Sequence, residues 1–290
     1  MIDLHIHSTN SDGSDEPYDI VKAGKEAGLN AMALTDHDTM AGAEDFLNAC
    51  REFKMTGIVG MEMSADVGDE DGTLHILGYG LDPDFPELDD VMEKIRDGRT
   101  WRNEQIVEKL NALGLELTLA EVQDCAGDDV IGRVHIAQAM INRDYVFSTE
   151  EAFDKYLSKD APAYVDRYRL YPVECVELIR RAGGVPVVAH PYTWIDDPAE
   201  LEQRLAELRD HGLFGLEVWH SDHTPEMAVE LIRMADRLGL NKTGGSDYHG
   251  EPKPDLALGT GYGKLCVPDD YLPPLLEALG GVNNRMVHIA

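Results

Sequence analysis

Short apolar runs alternate with amphipathic stretches at both ends of this chain, and no other feature limits its fold as much. In the first part, residues 2–6, 31–34, 57–59 and 74–77 have the length and content of strands, while 17–27 and 41–53 carry helical spacing. Gly28 supplies the stop for the first helix. From Ala163 the rhythm returns: helices over 175–181, 199–211, 226–238 and 271–279 alternate with strands over 185–189, 215–219 and 242–245. This alternation predicts a parallel sheet covered by helices, open or closed into a barrel. Between the two parts, residues 88–113 are highly charged with helical periodicity, and 119–125, 134–141 and 149–157 read as shorter helices. The expected organisation is an α/β body from residues 1–90 and 161–290, interrupted by a helical insertion over 91–160. A chain of 290 residues can bury the core that such a body needs.

Titratable residues collect at the ends of these strands. In the first strand Asp3, His5 and His7 alternate with Ile2, Leu4 and Ile6, so the two imidazoles share a face about 6 to 7 Å apart. That spacing lets both reach one metal ion. Asp12 follows in Asn10-Ser11-Asp12-Gly13, and His37 in Thr35-Asp36-His37-Asp38. Glu62 comes after residues 57–60, and His75 lies in Thr73-Leu74-His75-Ile76-Leu77-Gly78. His190 ends an apolar run, and Asp247 and His249 stand one residue apart in Gly244-Gly245-Ser246-Asp247-Tyr248-His249-Gly250. A single histidine at a strand end is ordinarily a solvated loop residue. Six of the eleven in that position, joined by three carboxylates, exceed what chance supplies. Parallel α/β folds place their active sites at the carboxyl ends of strands. Imidazole with carboxylate and no thiolate suits zinc, manganese or iron(II). Nine ligands are more than one ion uses, so two or three ions are expected.

The charge balance restricts what such a centre can serve. Twenty-five basic and 55 acidic residues leave a formal charge of −30, a field that repels duplex nucleic acid and anionic membranes. It also repels a phosphorylated small molecule unless bound cations reverse it locally. No apolar run approaches the roughly 18 residues of a membrane span. The first apolar stretch is broken by Asp3 and His5, unlike a signal sequence. Cys50, Cys125, Cys175 and Cys266 are scattered without a CxxC pair, as in proteins of a reducing compartment, and the expected location is the cytoplasm. Nothing in the chain specifies an oligomeric state.

An acidic protein that handles phosphate needs a few placed donors. Arg133 and His135, in Gly132-Arg133-Val134-His135-Ile136-Ala137, are the expected substrate residues, because guanidinium matches phosphate oxygens in a fork. Arg167 and Arg169 are further candidates. His220 and His223 follow a strand that also carries Glu217, whereas His211 and His288 read as solvated.

The ordered set His-x-His, Thr-Asp-His-Asp, Gly-x-Glu, His-Ile-Leu-Gly, Ala-His-Pro and Gly-Ser-Asp-x-His resembles the PHP (polymerase and histidinol phosphatase) metal-dependent phosphoesterases over essentially the whole chain. The insertion, with Gly-Arg-x-His-Ile-Ala, is similar to that of the small stand-alone bacterial subgroup, which usually has Pro where Val134 stands. The resemblance implies a distorted (β/α)7 TIM-like barrel with a helical insertion, holding two or three divalent ions. It implies one ion on His5, His7, Glu62 and Asp247, and a second on Glu62, His75 and His190 with Glu62 bridging. Asp12, His37 and His249 would hold a third.

The implied substrates are small phosphorylated molecules: nucleoside monophosphates, nucleoside 3′,5′-bisphosphates, or ribose cyclic phosphates opened and then dephosphorylated. A water between two cations becomes a nucleophile near neutral pH, and the ions with Arg133 stabilise charge on the phosphoryl oxygens. His223 or His135 would protonate the leaving oxygen as imidazolium, or the third ion would carry its charge. Two rivals remain at this point. A metal-storage protein would want closed coordination and no Arg133-x-His135. An amidohydrolase-type barrel also begins with His-x-His but typically needs a bridging lysine after a mid-barrel strand, and no lysine ends an expected strand before Lys242.

Overall fold

The computed structural model describes residues 1–68, 72–126, 131–280 and 285–288. In chain order the elements are β1 (Ile2–Asp3), α1 (Pro17–Glu26), β2 (Ala31–Leu34), α2 (Ala43–Phe53), β3 (Thr56–Ser64), β4 (His75–Tyr79), α3 (Pro86–Ala112), α4 (Leu119–Ala126), α5 (Arg133–Asn142) and α6 (Thr149–Ala152). A π-helical turn, Phe153–Leu157, extends α6. Then come α7 (Pro172–Arg181), β5 (Val185–Val188), α8 (Pro198–Asp210), β6 (Gly215–His220), α9 (Pro225–Leu238), β7 (Asn241–Gly245), α10 (Leu272–Ala278) and β8 (Met286–Val287). They form two compact units. The first comprises Met1–Asp89 and Leu170–Ala290, the second Asp90–Arg169. Arg167 and Arg169 therefore belong to the second unit, beyond the limit expected at residue 160.

In the first unit the strands follow one another in sequence order, β1 to β7, and β8 adds to β3. The residues after β1 bring the sheet round to β7. Leu4 N–H donates to Gly244 O at 3.1 Å, while Asp247 N–H donates to His5 O and His7 N–H to Tyr248 O, each at 2.9 Å. The result is a nearly closed seven-stranded barrel with helices outside. Period-two alternation divides β2 and β3 between two apolar clusters. Ala31, Ala33, Ile58, Leu77, Tyr79 and Val187 belong to one. Met32, Leu34 and Val59 pack in the other with Ile20 and Val21 of α1 and Phe46 and Cys50 of α2.

One strand departs from the expected parallel sheet. β4 runs antiparallel to both β3 and β5, while the other neighbouring pairs along β1 to β7 are parallel and the added β8 lies antiparallel to β3. Only residues 65–74 separate β3 from β4, too few for the helical crossover that a parallel return requires. β3 also extends to Ser64, past the expected end at 59. It pairs with β2 through Val59 and with β4 from Gly60 onward. Glu62 is therefore a mid-strand residue, on the same face as Ile58.

The second unit contains most of α3 together with α4 to α6. Its core gathers Ile106, Leu110, Val122, Ile136, Met140, Val146 and Leu157. Ser148 caps α6 by accepting from Glu151 N–H.

Candidate metal centre

The reversed β4 explains how residues from strand starts and strand ends meet. His75 opens its strand opposite Ser64, two residues beyond Glu62 on the same face of β3. Because β4 points the other way, its first residue lies at the end of the barrel where the other strands finish. His190 reaches the same place by another route. It follows Ala189, and simple alternation would turn it away from the face of Val187 and Ala189. Its backbone instead lies in left-handed space, φ 23° and ψ 61°, and its Nε2 stands 2.9 Å from Glu62 Oε1. Asp247 also has positive φ (58°), a conformation that Asp tolerates better than most residues.

Nine side chains gather there. His5, His7, Glu62 and Asp247 each offer an atom within 4.8 Å of one another, as do His7, Asp12, His37 and His249, and also His37, Glu62 and His75. His7 and His37 each belong to two of these groups, and so does Glu62. Glu62 Oε2 lies 3.3 Å from His5 Nε2, 3.2 Å from His7 Nε2 and 3.1 Å from His37 Nδ1. Its Oε1 lies 2.8 Å from His75 Nδ1 and 2.9 Å from His190 Nε2. Asp247 Oδ1 is 3.2 Å from His7 Nε2. Asp12 reaches His249 Nε2 at 3.4 Å and His37 Nε2 at 3.5 Å.

Burial makes this arrangement costly without an ion. His5, His7 and Glu62 are almost wholly shielded from solvent, and His5 Nε2, both His7 ring nitrogens and His37 Nδ1 are buried without a hydrogen-bond partner. Buried polar atoms are otherwise nearly always satisfied. Burial alone would lower the pKa of His7, but Asp247, Glu62 and Asp12 outweigh it and raise it to about 10. His5 is raised as well, since Glu62, Glu217 and Asp247 together overcome its burial. His37 goes the other way: burial, with His7 and His75 beside it, lowers it to about 4. Burial opposes ionisation of Glu62, yet His75, His37 and His5 hold its carboxyl well below the usual range. Orphaned imidazole nitrogens aimed at ionised carboxylates fit divalent cations.

Supporting residues that the sequence reading did not assign surround the nine. Asp3, fully buried, accepts from Ser246 N–H (2.8 Å), Ser246 Oγ–H (2.6 Å) and Gly259 N–H (2.7 Å), which fixes the loop carrying Asp247 and His249. Asp36 accepts from Ser8 N–H (2.7 Å) and from the hydroxyls of Ser8 and Ser11, and so fixes the loop carrying Asp12. Lys253 donates to Asp247 Oδ2 at 2.7 Å. His220 Nδ1 accepts from Asp222 N–H, and its Nε2 lies 3.5 Å from Asp247 Oδ2. The Asp-x-His-x-His and Thr-Asp-His motifs hinted at the two aspartates. Lys253 gave no signal, because its contact depends on how a loop folds.

The remaining candidates divide between the units. His223, expected as an imidazolium donor, lies in the first. Burial, with His220 5.3 Å away ring to ring, lowers its pKa to about 4, so it is neutral near pH 7. Its Nδ1–H donates to Val218 O at 3.2 Å, which leaves Nε2 as a buried lone pair. Arg133, His135, Arg167 and Arg169 lie in the second unit. His135 Nδ1 accepts from Gly132 N–H and closes the first turn of α5. Arg133 donates to Leu157 O at 3.1 Å and lies over the rings of Phe153 and Tyr164 at 5.6 and 5.7 Å. Arg169 donates to Asp166 at 3.0 Å, and Asp166 also accepts from the Arg167 backbone N–H. Arg102 was not singled out in the sequence, yet it is the most telling cation of this unit. It is 8% exposed and bonds the neutral amide oxygen of Asn103. Burial and the guanidiniums of Arg167, Arg133, Arg99 and Arg169 push its pKa down to about 9.

The PHP domain model matches residues 3–218. The chain belongs to the PHP family. The 3′,5′-nucleoside bisphosphate phosphatase of Chromobacterium violaceum is 30% identical over 270 residues, 92% of this chain and 94% of that protein. The phosphoribosyl 1,2-cyclic phosphate 1,2-diphosphodiesterase of Eggerthella lenta is 30% identical over 265 residues, 86% of this chain and 94% of its own length. Among solved structures, one described as an amidohydrolase from C. violaceum, with bound sulfate and no metal, has a TM-score of 0.80 at 29% identity and covers 100% of this chain and 98% of that one. A Bifidobacterium adolescentis protein, provisionally named a metal-dependent phosphoesterase, has a TM-score of 0.77 at 30% identity and covers 96% of both chains. The barrel is that of a PHP phosphoester hydrolase, and its histidines and carboxylates form a cluster able to bind metal.

Proposed function

We propose that this protein releases phosphate from small phosphorylated molecules, nucleoside 3′,5′-bisphosphates or nucleoside monophosphates, at a centre of two or three divalent ions. One observation carries the reading: Glu62 lies within 3.3 Å of imidazoles from five different histidines, a geometry suited to a carboxylate shared between ions. His5, His7, Glu62 and Asp247 would hold one ion; Glu62, His75 and His190 a second; Asp12, His37 and His249 a third. The donor set favours manganese, zinc or iron. Bound there, the ions supply positive charge for the phosphoryl oxygens and acidify water.

The chain's own residues do the rest. Asp3 and Asp36 hold the ligand loops, so the charged groups are fixed before substrate arrives. Arg133, His135, Arg167 and Arg169 would take the anionic part of the substrate, supported by the buried cation of Arg102. His223 would meet the leaving group through its free Nε2, accepting a hydrogen bond in the resting state and carrying a proton only once a phosphate dianion favours its charged form. The long-range field of an acidic protein disfavours duplex nucleic acid. Free, scattered cysteines suit a cytoplasmic location, and among the described residues no helix is long and apolar enough to cross a membrane.

A second reading, opening a ribose cyclic phosphate before releasing phosphate, is favoured by the E. lenta relative. Amide hydrolysis is less favoured: the shared position holds Glu62, and Lys253 contacts Asp247 alone among the nine. A turnover screen over mononucleotides, 3′,5′-bisphosphates, cyclic phosphates and an amide panel, with manganese and zinc supplied separately, tests the reading. Phosphate release from at least one phosphoester is expected. Turnover of amides alone would refute it.

A further inference from the structure

Glu217 is wholly buried in β6, inside the barrel, and is assigned no ligand role above. A shift in register between Glu217 and Trp219 lets both Glu217 and His220 approach the centre from one strand. The two carboxylate oxygens have different partners. Oε1 lies 3.1 Å from His5 Nδ1, and Oε2 accepts the backbone N–H of His190 at 2.8 Å. Each partner is a proposed metal ligand, and each needs what the carboxylate provides. His5 can bind an ion through Nε2 only when its proton sits on Nδ1, and an acceptor at Nδ1 selects that tautomer. His190 reaches Glu62 only through its left-handed backbone, a conformation costing on the order of 1–3 kcal/mol unless its surroundings hold it.

We propose that Glu217 is a positioning residue that couples two metal ligands: one oxygen sets the tautomer of His5, and the other pins the strained backbone that aims His190 at Glu62. The proposal rests on the metal-centre reading above. Its logic is one of acceptor counting. A carboxylate offers two acceptors, one for each N–H, whereas an amide of the same shape offers one acceptor and one donor. In Glu217→Gln, either the NH2 group faces His5 Nδ1 and moves the histidine proton to Nε2, or it faces the His190 N–H and releases that backbone. Both orientations damage one ligand.

The test uses the full-length protein and manganese or zinc as probe. Glu217→Gln should bind the ion about 10- to 100-fold more weakly or lose one ion per chain, the loss typical of an outer partner of a metal ligand. Far-UV circular dichroism should show an intact fold. Nitrogen-15 NMR of the zinc-loaded wild-type protein should find the His5 proton on Nδ1, a readout that survives even if the variant fails to fold. Wild-type metal number and affinity in Glu217→Gln, or His5 binding zinc through Nδ1, would overturn the proposal. Wild-type protein that binds neither ion would instead overturn the metal centre itself.

Discussion

At the scale of residues, the centre divides into groups that would touch metal and groups that hold them in place. Removing a proposed ligand takes away charge and geometry together. His7→Ala or Asp247→Ala should lower bound metal by at least one ion per chain and reduce turnover by 100-fold or more, read by elemental analysis beside a phosphate assay. Arg133 lies in the other unit, so Arg133→Ala should raise KM by roughly 10-fold and leave metal content unchanged, an effect in the range of a lost charge-assisted hydrogen bond. Loss of metal in Arg133→Ala would contradict that division. Much of the centre could be read from the chain, because alternation places His5 and His7 on a common face and the other candidates follow the apolar runs that read as strands. What remained hidden acts through neighbours. Glu217 and His220 depend on a register shift within β6, and Lys253 on a loop that folds back on Asp247.

At the scale of elements, apolar alternation gave the strands and helices of the body, β8 apart, mostly within a few residues but not the reversal of β4. A four-residue apolar run looks the same whichever way it travels, so the reversal of β4 could be found only from the shortness of the 65–74 connection. The same limit hid the length of β3, whose later residues pair with β4 instead of β2. Closure of the barrel makes a sharper demand on sequence. At Gly245 a Cβ would collide with the backbone N and Cβ of His5, across the seam joining β7 to the first strand. Gly245→Ala should therefore destabilise the fold by about 1–3 kcal/mol, the usual cost of overpacking, and lower Tm by several degrees. An unchanged thermal midpoint would mean that the seam is looser than described.

At the scale of the whole molecule, the buried charges link stability to pH and to metal. In the metal-free protein His5 and His7 are raised. Their contribution is complete below the ordinary histidine value of about 6.5 and is lost as pH climbs toward the His7 value of about 10. His37 and His223, lowered to about 4, stabilise the fold above about 6.5 and cease to do so as pH falls toward 4. Asp12, Glu62 and Asp247 are all lowered, and their contribution disappears only in stronger acid. Stability without metal should thus peak near pH 6.5. Divalent ions replace the protons on His5 and His7, so added manganese should raise Tm more at pH 9 than at pH 6. Equal shifts at the two pH values, measured by thermal unfolding of chelated and reloaded protein, would contradict this linkage.

The central claim is that the clustered histidines and carboxylates form a metal-dependent phosphoesterase centre. Phosphate release from a nucleoside 3′,5′-bisphosphate, followed through chelation and then manganese addition, tests it most directly. Turnover should vanish with the chelator and return as two or three ions bind per chain. Full metal loading with no phosphate released from this or any other phosphoester would contradict the account.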